Sequence, residues 1–348
     1  MPLTRLNFLP GIDTENTETG AEGRWANCDK VRFRKGLPQK IGGWVKYSLD
    51  YYVGVGRALF SWFSLDESRY QAFGTNRKVY VYASGTNQDI TPLRQSNSLV
   101  NVFTTLNTSS NITISHTAHG AAEGDFITIS NTSVASVGGI ANTSIDAEYQ
   151  IVSITNDNEY VITSNETASS NVSTFANCDI AYQIPVGPAV QTFGFGWGTG
   201  TWNALAWNQP RTTSNVTIDM KQWSINNWGE DLILTQKNGG TYLWDESNGM
   251  TDNRATVIAS APTTSTLSVV STETRHLILM GTETTIGTPS SQDKMFIRFS
   301  DQEDFTSFTP NTTNSAGSQR IAGGSEIRCA KPAKGTILIW TDTTMHSM

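Results

Sequence analysis

VYVYAS at residues 79–84, TYLWD at 241–245, MFIRFSD at 295–301 and ILIWTD at 337–342 decide the fold. Each follows an apolar stretch that ends at a polar or glycine turn: residues 70–75, 231–236, 276–282 and 326–331. Successive side chains of a strand point to opposite faces. In the first of these strands Val79 and Val81 oppose Tyr80 and Tyr82; in the last, Ile337 and Ile339 oppose Leu338 and Trp340. Both faces are apolar, so both must be covered. A sheet flanked on both faces by other sheets is the situation of a propeller blade between its neighbours. Thr241 and Met295 start 54 residues apart, Met295 and Ile337 42 residues apart, near the roughly 40–50 residues of a four-stranded blade. A plain β-sandwich also repeats strand pairs, but two-sided burial favours the propeller. Three of the four strands close on an acid, Asp245, Asp301 or Asp342.

Composition agrees with an all-β chain. Only 16 % of the 348 residues are charged, and Thr, Ser, Asn and Gly fill the polar positions, favouring strands and turns over helix. No window carries a sustained 3.6-residue apolar period, and no stretch nears the roughly 20 apolar residues of a membrane helix. Residues 1–13 lack the basic and apolar regions of a signal peptide. The net charge of −7 opposes a role in gripping nucleic acid, whose binding rests on neutralising phosphates. Cys28, Cys178 and Cys329 are too few and too scattered for a disulfide framework or a cysteine metal site.

The expected organisation has three parts. Residues 1–50 form an N-terminal arm and a basic strand; residues 51–97 and 184–348 form the propeller-like main domain. Residues 98–183, poor in tryptophan and rich in Ser, Thr and Asn, form an inserted small β-barrel or sandwich, since loops tolerate insertions best. Residues 191–207 carry Trp197, Trp202 and Trp207 among glycines and read as another blade, with a sugar-stacking site as the alternative. Strand-forming sequence runs to Met348, so the chain is expected to be part of a longer protein. The one basic cluster, Lys30, Arg32, Arg34 and Lys35, lies on a short alternating strand opposite Val31 and Phe33. It is a candidate partner interface, toward protein rather than DNA, or simply a guarded sheet edge.

Three blocks carry a family resemblance. PGIDTENTETGAEGRWANCDKVRFRKGLPQKIGGW (10–44), WSINNWGEDLILTQKNGGTYLWD (223–245) and IRFSDQEDFTSFTPNTTNSAGSQRIAGGSEIRCAKPAKGTILIWTDTTMHSM (297–348) occur in that order. They resemble the opening, the central signature and a third block of tail tubular protein B, the nozzle of short-tailed bacteriophages. ISHTAHGAAEGDFITISN and EYQIVSITNDNEYVIT in the insert are similar to a small β domain embedded in phage tail proteins. The resemblance implies a structural virion protein in the tail, assembled in the host bacterial cytoplasm. It implies a propeller subunit of a hexameric ring that retains the packaged genome and conducts it during ejection. Neighbours would be the portal-adaptor and tail fibre proteins, with duplex DNA passing without specific binding. Neither a cofactor nor a small-molecule substrate is implied. Family members continue well past a point like Met348. Six such chains would make an acidic ring, and acid lining the lumen would let phosphates slide rather than stick.

Other chemistry has weaker support in the residues, and the chain reads as non-enzymatic. His116 and His119 lack a third ligand at a diagnostic spacing and read as surface imidazoles at a turn. The run 300–308 resembles the Asp-box turn of sialidase-type propellers, where the Asp caps backbone donors. Asp301, Glu303 and Asp304 are thus the acids a glycan-degrading tail enzyme would use, but a glycosidase needs a carboxylate pair set across a cleft. A carbohydrate-binding tail module remains the other alternative. GFGWG at 194–198 and Gly239-Gly240 precede no helix, so they are strand turns rather than phosphate loops.

Overall fold

The computed structural model describes residues 8–43, 45–46, 48, 50–184 and 220–348. The chain is all-β. Among the described residues the only α-helix is the four-residue Asn142–Ile145, and no helix is long and apolar enough to cross a membrane. Two compact units are present, Met1–Leu49 and Asp50–Met348.

In the first unit Val31–Arg34 and Leu37–Lys40 form an antiparallel hairpin. Lys35 (φ +52°) and Gly36 (φ +78°) make its turn, the double left-handed step that a two-residue hairpin requires. Val31 and Phe33 are half-buried while Arg32 and Arg34 are exposed. Trp25 meets the rings of Phe8 and Phe33 edge-on, at 5.6 and 6.2 Å.

Among the described residues the second unit contains four antiparallel meanders, each paired in sequence order. The first comprises Gly56–Phe63, Arg69–Thr75, Val79–Ala83 and Thr86–Asp89; the second Trp223–Trp228, Asp231–Gln236, Thr241–Trp244 and Thr256–Val257. The third comprises Leu267–Val270, Leu277–Met280, Phe296–Phe299 and Gly317–Arg320; the fourth has three strands, Ile327–Ala333, Thr336–Thr341 and Met345–Ser347. The strand alternation explains how they stack. Leu232 and Leu234 pack toward the first meander with Trp62, Ala72, Val81 and Trp244, while Ile233 between them packs the other way with Leu277, Leu279 and Phe308. Ile278 and Met280, the alternate residues of the next sheet, join Ile297, Ile337 and Ile339. Each inner sheet is thus apolar on both faces because it serves two cores, as blades do.

Two places depart from the sequence pattern. In the fourth meander the 326–331 and 337–342 pair supplies the first and second strands, not the second and third as in the other three. An apolar hairpin reads alike wherever it sits in a sheet, so pattern alone does not set its position. Leu338 and Trp340 are only half-buried, since no described sheet covers that face.

Between the first and second meanders the chain builds the insert. One sheet orders Glu148–Gln150, Phe126–Ser130, Cys178–Gln183 and Leu93–Leu99; a five-stranded sheet orders Ser153–Asn156, Glu159–Thr163, Asn111–Ser115, Phe103–Thr105 and Val172–Phe175. Their inward side chains, among them Phe103, Ile112, Ile127, Tyr160 and Ile180, share one core. The strand Leu93–Leu99 belongs to this sheet, with Leu93 paired to Gln183.

Candidate functional site

The first strands of the four meanders lie side by side: Gly56–Phe63 against Trp223–Trp228, that against Leu267–Val270, and that against Ile327–Ala333. Together they line an open groove of about 430 Å3. Strands that border open space cannot all be apolar, and here polar side chains satisfy one another across strands. The Ser224 hydroxyl donates to the Ser268 carbonyl at 2.8 Å. The Asn226 amide donates to the same carbonyl at 3.0 Å and to the Ser268 hydroxyl at 3.1 Å.

The charge of the groove is opposite to that of the chain. Among the described residues, Arg57, Lys237, Arg328 and Lys331 line it together with one carboxylate, Glu326. Glu326 lies 3.0 Å from the Arg328 guanidinium and 3.8 Å from the Lys294 ammonium. Arg57 donates to the neutral Lys221 carbonyl at 2.8 Å, and Lys331 is exposed. Sequence reasoning missed the groove because these cations come from three stretches far apart in the chain, the strand Gly56–Phe63, the turn after Asp231–Gln236 and the strand Ile327–Ala333.

A second charged cluster joins the insert to the meanders. The Lys78 side chain, 5 % exposed, donates to Asp89 at 2.8 Å and to Glu148. Its ammonium sits 4.8 Å from the Phe126 ring centroid. Arg254 approaches Asp89 at 3.4 Å and Glu148 at 4.0 Å, and Gln183 donates to Glu148 at 2.8 Å. Burial pushes the Asp89 carboxyl up, but Arg254 and Lys78 together outweigh it and hold the carboxyl below its ordinary 3.8. This cluster is structural: it neutralises buried charge where three chain segments meet.

The residues singled out in the sequence are dispersed. Lys30, Arg32, Arg34 and Lys35 stay on the N-terminal hairpin, with Lys30 3.8 Å from Asp29 and Arg32 donating to Gln39 at 3.1 Å. His116 and His119 lie in the insert, and His119 is not the surface imidazole expected. It is buried edge-on against Tyr160 at 5.0 Å. One of its ring nitrogens accepts from the Ala121 amide at 3.0 Å, and the other is 3.1 Å from the Asn156 carbonyl. An imidazole engaged at both nitrogens can be buried without cost in unmet hydrogen bonds. His116 bonds the Tyr182 hydroxyl at 2.7 Å, and burial, then the neighbouring His119 and Arg94, lower its pKa. Among the described residues no group of three or more His, Cys, Asp or Glu could hold a metal ion.

Asp301 accepts from the Gln302 and Ser315 amides and the Ser315 hydroxyl at 2.6–2.8 Å. Those bonds, the Ser315 hydroxyl foremost, hold it below the usual carboxylate range. Asp304 accepts from the Thr306 amide at 2.7 Å. Neither they nor Glu303 line the groove. Trp197, Trp202, Trp207 and the 194–198 glycine stretch lie outside the described residues.

No family model and no curated protein matches the sequence. Among solved structures the chain is similar to the phage phi92 endosialidase, at 11 % identity and a TM-score of 0.26. The match covers 81 % of this chain, which spans about 41 % of that one. That protein is by name an enzyme, and the expectation that this chain is non-enzymatic is withdrawn. A likeness of this size assigns no particular reaction to the chain.

Proposed function

We propose that the chain is a structural subunit of a phage tail, one of several copies forming a ring-shaped nozzle through which the genome passes. The observation that carries this reading is the uncovered apolar surface at the two ends of the row of meanders. On the first, Leu59 is 75 % and Phe63 65 % exposed on one face. On the fourth, Leu338 and Trp340 are half-buried and Met345 is exposed. Large apolar side chains left open on a sheet face mark surfaces that a partner covers. Because the two ends differ, copies joined one end to the other make heterologous contacts, which close into a ring when the rotation between successive copies closes. The three blocks that resemble nozzle proteins fall on the N-terminal hairpin unit, on the second meander and on the third and fourth, which supports the same reading.

Electron microscopy of the intact particle is the test. A ring of this chain on the tail axis, with copies meeting through Leu59 and Phe63, is the expected result. Density at the tail periphery, away from the axis, would overturn the proposal.

A further inference from the structure

The two units carry opposite charge. Residues 1–49 contain eight Lys and Arg against five Asp and Glu, a net +3, which leaves −10 for residues 50–348. In the hairpin of the first unit Arg32 pairs with Gln39 and Arg34 with Leu37, so one face presents two guanidiniums beside an apolar side chain. Arg32, Arg34, Lys35 and Lys40 are exposed, and Leu37 is 52 % exposed. Arg34, Lys35 and Lys40 have no ion-pair or side-chain hydrogen-bond partner among the described residues, and Arg32 has only the neutral Gln39. Among the described residues of this unit, Ala21 is the only apolar side chain that is buried. A two-stranded hairpin this thinly packed needs a surface to lie against.

One end of the second unit offers such a surface. Residues 64–68 of the first meander and residues 229–231 and 245–246 of the second bring five carboxylates into range of one another: Asp66, Glu230, Asp231, Asp245 and Glu246. Glu230 reaches the first meander and accepts from the Leu65 amide at 2.9 Å; Glu246 accepts from the Tyr70 hydroxyl at 2.6 Å. Burial, then the Glu246 carboxylate and the charges of Asp66 and Glu230, push the Tyr70 hydroxyl up to about 12. Burial, with the charges of Asp245, Glu246 and Glu230, raises the Asp231 carboxyl against the Glu246 amide, which lowers it. None of the five forms an ion pair among the described residues. Arg69 and Arg275, close by, lie over the Phe63 and Trp228 rings at 5.6 and 5.3 Å instead. Beside Asp66 stands Leu65, 90 % exposed.

We infer that the N-terminal hairpin of one copy docks on this acidic end of the neighbouring copy. Arg32, Arg34 and Lys35 face the five carboxylates, and Leu37 packs against Leu65 and Phe63. The two surfaces match in charge and in exposed apolar side chains, which gives a contact both its direction and its specificity. The inference rests on the ring reading and deepens it, because Phe63 belongs to the uncovered face through which copies join and the hairpin contact continues that joint.

The experiment follows self-association of the full chain by sedimentation velocity. One variant reverses the hairpin, Arg32→Glu with Arg34→Glu; a second reverses the acidic end, Asp66→Arg with Glu246→Arg; a third combines all four. The wild-type chain should associate, less so in salt, and each reversal alone should weaken association at least tenfold. An equimolar mixture of the two reversed chains should restore it, since the acidic hairpin of one meets the basic end of the other. That rescue separates docking from folding, because an unfolded variant is not rescued by a second one. A monomeric wild-type chain, or indifference to both reversals, would overturn the docking. Recovery in the combined variant but not in the mixture would place the hairpin on its own second unit and overturn it equally. Leu59→Asp reads the ring joint itself: association lost there but indifferent to the reversals removes the hairpin contact and leaves the ring reading standing.

Discussion

Replacing Lys78 by Met removes the charge at the junction of insert and meanders while keeping most of the side-chain length. The Lys78 side chain is 5 % exposed and its ammonium contacts two carboxylates, Asp89 at 2.8 Å and Glu148. Removing one partner of a buried ion pair costs about 3–5 kcal/mol, because the other charge stays buried without its counterpart. Here compensation is partial: Arg254 remains 3.4 Å from Asp89, and Gln183 still donates to Glu148 at 2.8 Å. The expected loss is therefore at the low end, about 3 kcal/mol. Urea unfolding followed by both tryptophan fluorescence and circular dichroism measures it, since coincident curves are needed before a single free energy is meaningful. Acid should shrink the difference. Asp89 is held below 3.8 in the folded chain, so its stabilising effect is complete above the unfolded value and is lost as pH falls through the lower folded one. Adding Glu148→Gln and Asp89→Asn to Lys78→Met removes the carboxylates left without Lys78 and should recover part of the loss, the recovery being limited by Arg254, which loses both partners. A loss below about 1 kcal/mol, the size of an exposed pair, would refute the reasoning.

Gly74→Ala would place a Cβ 2.5 Å from the Trp223 ring; overpacking of this kind costs about 1–3 kcal/mol, and an unchanged melting temperature would show that the two meanders can move apart freely. Leu234→Ala opens the fully buried core between those meanders and should cost about 2–5 kcal/mol in urea unfolding; under 1 kcal/mol would mean that the core collapses into the gap. Arg32→Glu with Arg34→Glu alters two exposed side chains and should leave stability within about 0.5 kcal/mol, yet reduce incorporation into particles; full incorporation would remove the hairpin from the list of partner contacts. Asp342→Ala deletes the acceptor of the Ser325 amide and hydroxyl, and hydrogen exchange should quicken at residues 323–326, whereas unchanged protection would mean another group takes over the cap.

The all-β class and the two-faced strands were legible because burial on both faces leaves a local mark, an unbroken run of apolar residues such as Leu232 to Leu234. The Asp residues that close three of those strands stand out in the sequence, but what each one holds does not. Asp245 caps the Ser247 amide, Asp301 the Ser315 amide and Asp342 the Ser325 amide. The position of 326–331 within its sheet was not legible, since a hairpin has the same pattern wherever it is placed. His119 was misread as a surface group because the partners that allow its burial, Asn156 and Tyr160, lie about forty residues away. The Lys78 cluster and the basic groove are distant in sequence in the same sense. Lys78 meets Glu148 across 70 residues, and no local pattern records a contact at that range.

The pairing of Leu93 with Gln183 has a consequence for the order in which the chain can fold as it leaves the ribosome. The insert starts and finishes on neighbouring strands and carries its own core, so it can be completed from one continuous stretch. The first meander cannot. Its inner face, with Trp62, Ala72 and Val81, waits for Leu232, Leu234 and Trp244, which are made only after the whole insert. Once folded, the insert returns the chain to where it departed. Some ninety residues of sequence separation then amount to a single step between adjacent strands, and the later sheets meet a first sheet already held in place.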